Sequence, residues 1–390
     1  MIARKYLQKL SKDCIRWAST VTKPPSTLAP QFCAEFNDYF PKILDKALNE
    51  SKYIDHPLLK DKIRKMNEHF MLSKFPIQAE FFFFSYELLE NPENITSDKL
   101  RQAYLVACAS ELVQIYFLFH DDLYDNSETR AGKPCWHLTP DASRYTLNDT
   151  VMLRGFINEL LHSYLEPSLY REFIDVFNEM FLGLAMGQYL DLLVPATKDY
   201  NSYTMETYEK ITYLKASVYS MNSPMLLALV MANKGSEESL QLVRKMCNNL
   251  GVLFQIHNDL TEYMDVDQTM TLKSNTDIIN GKCAWTAVAA LKHFNAEQRK
   301  IFDECYKSSD PEKIKRVLRL YDEVNLRDLY RKEEKARYDV FLEKVSKLPA
   351  DSVPSPDFFM GILRAPTSIK KDSLRQTVAK DFRNYMPKVE

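Results

Sequence analysis

Glycine is scarce in this chain, eight residues in 390, while leucine, lysine, glutamate and methionine are plentiful. A protein of many strands and tight turns uses glycine at its corners, so this balance favours helix. A basic excess is missing too: 51 lysines and arginines face 53 acids, for a formal charge of -2. That removes the electrostatic footprint of a nucleic-acid binder. No uncharged apolar run reaches the 18 residues that a membrane span needs, and the greasiest stretch, FFFFSY at 81–86, reads as buried helix. The seven cysteines form no CxxC pair and the seven histidines no HExxH, which leaves zinc and thiolate chemistry without support. Scattered cysteines fit reduced, structural thiols in an intracellular protein better than a disulfide framework. There is no Pro/Gly/Ser-rich linker, internal repeat or low-complexity tract, so residues 31–390 read as one large helical domain.

Residues 1–24 stand apart. Arg4, Lys5, Lys9, Lys12, Arg16 and Lys23 face a single acid, Asp13, and a helix would put Ile2, Tyr6, Leu10, Trp17 and Val21 on one side. Basic, amphipathic and acid-poor is the pattern of a transit peptide, here ended by Pro24 and Pro25, and it points to mitochondria. An ordinary amphipathic terminus of a cytoplasmic protein fits the same residues. Beyond it, apolar periodicity predicts helices near 31–50, 57–72, 76–90, 98–125, 148–165, 169–194, 204–233, 237–264, 274–292, 297–307 and 311–345. Pro224 should kink the seventh, because proline removes a backbone donor and clashes with the preceding turn. The fold class is all-α, a helix bundle with ligands on facing helices.

Two acidic clusters carry the chemistry. QIYFLFHDDLYD, 114–125, is an aromatic run that ends in Asp121, Asp122 and Asp125. Asp121 and Asp125, four apart, share a helix face, with Phe117 one turn behind. Carboxylates so close repel one another unless a cation sits between them. Mg2+ takes one or two carboxylates and shares the rest of its shell with water and phosphate. GVLFQIHNDLTEYMD, 251–265, repeats the arrangement: Asn258 and Glu262 are four apart, Asp259 is adjacent and Asp265 follows. Facing one another, two such helices would ring a greasy cavity with metal-binding oxygens. A diphosphate held there becomes a leaving group, its developing charge neutralised by metal.

Four further groups stand out. Gln188 and Asp191 share a face in GQYLDLL, Lys215 sits between Tyr213 and Tyr219, and Lys273 follows the second cluster, before Thr276 and Asp277. Arg130 is the best single grip for a diphosphate, since a guanidinium binds phosphate oxygens as a fork.

These blocks resemble the trans-prenyltransferase family of the farnesyl diphosphate synthase type. DDLYDNSETRAGKPCW is similar to its first aspartate-rich motif and FQIHNDLTE to its second; GQYLDLL, LKASVYS and KSNTDIINGKCAW match flanking segments in order, from about Lys99 to Ala350. The resemblance implies the all-helical isoprenoid (terpenoid) synthase fold, an allylic diphosphate substrate, a cluster of three Mg2+ ions and a homodimer. Asp121 and Asp125 would take metal on one side, Asn258 and Glu262 on the other, with Asp122 and Asp259 beside them. Arg130, Lys215, Lys273, Gln188 and Gln255 would contact diphosphate or its waters, with Asp191 and Tyr219 lining the site. Tyr116 and Phe117 occupy the positions whose bulk limits farnesyl synthases to fifteen carbons.

The sequence also departs from the family. Ala131 follows Arg130 where a second arginine is expected, and SKFPIQ, 73–78, keeps Lys74 but has Ile77 for arginine. Each charged hydrogen bond contributes about 1.5–3 kcal/mol, so two losses would weaken isopentenyl diphosphate binding by roughly a few hundredfold. With NDLTE in place of DDxxD, this points to a class I terpene synthase, a carbon–oxygen lyase releasing diphosphate and a sesquiterpene from farnesyl diphosphate. A short-chain prenyltransferase is the second reading. A non-catalytic subunit is the third, and intact acidic clusters argue against it.

Overall fold

The computed structural model describes residues 28–70, 76–130, 133–264 and 276–363. Among them are fifteen α-helices, one π-helical segment, short 3-10 turns and a two-residue hairpin. The first helices are α1 (Leu28–Glu50), α2 (Pro57–Phe70), α3 (Ile77–Leu89), α4 (Ser97–Tyr124), α5 (Thr146–Tyr164) and α6 (Pro167–Ala196). Then come α7 (Met205–Thr212), the π-helix (Tyr213–Asn222), α8 (Ser223–Met231) and α9 (Glu237–Met264). The last third holds α10 (Thr276–Asn280), α11 (Trp285–Leu291), α12 (Ala296–Cys305), α13 (Pro311–Glu323), α14 (Leu326–Ser346) and α15 (Pro356–Leu363). The basic N-terminal segment lies outside the described residues.

α4 is the axis. Thr96 caps it by accepting from Lys99 N, and it is buried on nearly every face, which is why its sequence lacks a polar stripe. It is the one described helix apolar enough to cross a membrane, but 78% of its apolar window is buried inside the protein, as in a central core helix. One core gathers Phe32, Phe83, Leu112, Phe177 and Leu227 around it. A second gathers Tyr208, Ile256, Trp285, Phe302 and Tyr321. α9 belongs to both, with Met246 in the first and Ile256 in the second, so its C-terminal half passes from the first core into the second.

Three expected helices are broken. The segment 274–292 stops at Gly281, φ 67°, and restarts at Trp285, while 311–345 stops at Asn325, φ 53°. Both residue types adopt left-handed backbone at low cost. Pro224 kinks its segment as a wide turn: Ser223 N and Oγ both bond Val218 O, five residues back, in the π pattern. Two neighbours close tightly on that turn. A Cβ on Gly187 would lie 2.3 Å from Lys215 N, and one on Gly251 would lie 2.4 Å from Ser217 Cβ.

Candidate active site

The last turn of α4 carries Asp121 and Asp122, both buried, and Asp125 caps it. The chain turns through Asn126, φ 50°, into the hairpin of β1 (Thr129–Arg130) and β2 (Lys133–Pro134), which returns Arg130 to the helix end. Arg130 forks onto Asp122, Nε to Oδ2 at 2.8 Å and Nη2 to Oδ1 at 2.7 Å, and its Nη2 also lies 3.0 Å from Asp121 Oδ2. From the π-helix, Lys215 Nζ reaches Asp121 Oδ1 at 2.9 Å and Asp191 Oδ2 at 2.6 Å. Lys282, just past α10, bridges Asp125 Oδ1 at 2.6 Å and Asp191 Oδ2 at 2.5 Å. Four carboxylates and three cations thus interlock at the meeting of α4, α6 and the π-helix.

Burial opposes charge on every member, and the ion pairs outweigh it selectively. Burial would lower the Lys215 ammonium, but Asp121, Asp191 and Asp125 raise it well above its usual range. Burial pushes Asp191 up, and the two lysines pull it below the usual carboxylate range. Asp125 goes the other way: burial, then the Asp121 charge, push it up despite Lys215 and Lys282. An acid held near another acid in this fashion is relieved by a cation placed between them.

At the end of α9 the groups are committed differently. Asp259 is buried, accepts from Trp285 N at 2.8 Å and Gln255 Nε2 at 2.8 Å, and burial pushes its carboxyl up to about 6. Glu262 takes Asp277 N at 2.7 Å and Thr276 Oγ1 at 3.0 Å, capping the short α10. Asn258, directly before Asp259 in sequence, is exposed. Asp191 links the two regions, since its charge raises both Asp125 and Asp259.

Not every predicted residue joins the site in the expected way. Phe117 meets Tyr219 of the π-helix, ring centroids 5.4 Å apart, beneath the acids. Tyr116 turns away, edge-on to Phe181 at 5.0 Å and beside His120 at 4.7 Å. Gln188 is buried three residues before Asp191, with neither amide atom bonded among the described residues. Gln255 is occupied by Asp259. Lys273 and Asp265 lie outside the described residues. Lys282 was missed, although a signal existed: one lysine directly before the uncharged run CAWTAVAAL is a charge entering the core.

The model of the polyprenyl synthetase family matches residues 77–324. The chain is 32% identical over 272 residues to farnesyl pyrophosphate synthase 1 of Lupinus albus, covering 69% of this chain and 79% of that protein. This chain belongs to the polyprenyl synthetase family. It is also 31% identical over 347 residues to farnesyl pyrophosphate synthase of Bos taurus, covering 86% and 96% of the two chains. Among solved structures, a T. brucei farnesyl diphosphate synthase complexed with risedronate superposes with a TM-score of 0.78 at 24% identity, covering 88% of this chain and 99% of that one. The fold is therefore the all-α isoprenoid synthase bundle.

The expectation of a terpene synthase, a lyase releasing a sesquiterpene, is corrected by these relatives, which bear the names of transferases. It rested on subtracting two guanidiniums, at Ala131 and Ile77, from the isopentenyl diphosphate site, and two substitutions do not outweigh relatedness to a farnesyl pyrophosphate synthase over 86% of the chain. Ala131 and Lys74 lie outside the described residues, and Ile77 opens α3 half-buried.

Proposed function

We propose that this polyprenyl synthetase is a short-chain prenyltransferase that joins an allylic prenyl diphosphate to isopentenyl diphosphate, with farnesyl diphosphate as product. The observation that carries the reading is the interlocked set of Arg130, Lys215 and Lys282 with Asp121, Asp122, Asp125 and Asp191. Three cations paired to carboxylates can turn to a diphosphate, while the carboxylates released take up metal.

The residues fit Mg2+. Among the described residues no three acids or histidines converge to hold an ion unaided, but Mg2+ needs only one or two carboxylates beside substrate phosphate. Asp121 with Asp125 supply two carboxylates across one helical turn, and Glu262 supplies one more, with the Asn258 amide oxygen one turn before it. Gln188, with both amide atoms unbonded, suits a bridging water. Bound Mg2+, three ions in this reading, would neutralise charge on the departing diphosphate.

The chain's own groups do the rest. Arg130 and Lys215 orient the diphosphate so that the allylic C1–O bond points into the cavity. As that bond breaks, Phe117 and Tyr219 present ring faces to the cation left behind. The isopentenyl double bond then attacks C1 and a proton leaves C2, restoring a neutral chain. Phe117 also closes the cavity about one helical turn, 5–6 Å, below the acids.

An apolar face supports a homodimer. Leu182, Met186, Tyr189 and Leu193 recur at helical spacing on α6 and Leu147 and Val151 on α5, all exposed, apolar surface suited to a second copy. Light scattering should give twice 45.5 kDa. For the activity, labelled isopentenyl diphosphate should enter a longer diphosphate only when an allylic diphosphate is present. Product from the allylic diphosphate alone, with no label incorporated, would sink the proposal.

A further inference from the structure

The face of the π-helix opposite Lys215 is polar where a core should be apolar. Ser217 and Asn222 are fully buried, and five residues apart they stack on one face of a π-helix. Ser217 Oγ and both amide atoms of Asn222 have no hydrogen-bond partner among the described residues. Packing registers show what lies across from them. On α6, Gly187 lies against Lys215 and Gly183 against Val218; one more turn back brings Glu179 level with Asn222. On α9, Gly251 lies against Ser217, and Cys247 Sγ is 3.1 Å from Met225 Sδ, which brings Asn248 to the same level. Glu179 and Arg244 tie the two helices together there, Nη2 to Oε2 at 2.6 Å and Nε to Oε1 at 3.0 Å. Arg244 Nη1 and Asn248 Oδ1 are also buried without a partner.

Five unpartnered polar atoms on adjoining turns of two packed helices are too many for chance burial; such groups are satisfied by ordered water. We infer that Asn222 and Asn248 are positioning residues: with the Glu179–Arg244 bridge they form a hydrated polar seat that fixes the π-helical turn and so aims Lys215 at the acidic centre. The glycine clamp at 187 and 251 sets how closely the helices approach the turn, and the seat sets its rotation. An α-helical turn in its place would swing Lys215 off Asp121 and Asp191. Asn222 touches no substrate, so it acts through Lys215.

This inference rests on the prenyltransferase reading for the ligand that Lys215 binds, inorganic diphosphate with Mg2+. Calorimetry on four proteins tests it: unaltered, Asn222→Leu, Lys215→Ala and the double variant. Asn222→Leu should weaken Mg2+–diphosphate binding about tenfold, the scale of a supporting-shell loss. In the Lys215→Ala background the same change should cost less than about twofold, because the two act through one group. Equal weakening in both backgrounds would overturn the positioning role while leaving the function intact. No diphosphate binding by the unaltered protein would overturn the function, and this role with it. Should Asn222→Leu not fold, Asn248→Ala runs the same cycle from the other helix, with the same outcomes expected.

Discussion

The two acidic helix ends look alike in sequence and are held in opposite ways. At the end of α4, Asp121, Asp122 and Asp125 face side-chain cations, Arg130, Lys215 and Lys282. At the end of α9, Asp259 and Glu262 hold backbone N–H groups, those of Trp285 and Asp277. Flexible cations can exchange a carboxylate for a phosphate, and they lose little when they do. A backbone N–H cannot leave without unmaking a helix start. The first cluster is therefore built to be rearranged by substrate, and the second to hold α10 and α11 in place while offering its outer groups.

The sharpest way to break this comparison is at Asp121, which two cations share. Asp121→Ala should lower kcat by at least about a hundredfold in steady-state assays. A fall below tenfold would show the α4 cluster to be replaceable. Next in size is Lys282→Met, which leaves Asp125 and the buried Asp191 with one ammonium fewer. Urea unfolding should show a loss of about 3 kcal/mol, the scale for breaking one side of a buried pair. The second cluster is tested at its exposed member. Asn258→Ala should reduce turnover roughly ten- to a hundredfold with the melting temperature unmoved, while Glu262→Ala, which uncaps α10, should lower both. If both variants leave turnover intact, the α9 cluster is structural only.

Glu111 extends the contrast to an acid with no cation beside it among the described residues. It is buried and accepts backbone N–H groups, of Ala79 at 2.9 Å and of Gln78, and burial pushes its carboxyl up to about 8. Asp191, equally buried but bridged by two lysines, is shifted down instead. Because the native state holds the Glu111 proton above the pH at which the unfolded chain releases it, stability should fall as pH rises from about 4.5 toward 8. Glu111→Gln should flatten that slope by at most about a few kcal/mol in unfolding titrations across the range. An unchanged slope would show that Glu111 isn't its source. The smallest effect concerns cavity depth: Phe117→Ala should let products longer than fifteen carbons appear at little cost in rate, read by chromatography of dephosphorylated products.

The sequence by itself determined the helical fold, because 3.6-residue periodicity and scarce glycine are local properties that survive any packing. It also placed Asp121 and Asp125 on one face, since spacing along a single helix is covalent geometry. What it could not carry was pairing between distant helices. Asp259 read as a companion of the metal ligands, yet tertiary packing commits it to Trp285 N, 26 residues on in sequence. Tyr116 and Phe117 read as one gate, yet neighbouring positions on a helix point about 100° apart, and only Phe117 turns to Tyr219. The uncharged run after Lys282 marks a charge entering the core, but only folding set it between Asp125 and Asp191, 157 and 91 residues away in sequence. The π-helix belongs to the same class: Pro224 announced a break, but only packing against Gly187 and Gly251 decided its width and where Lys215 would point.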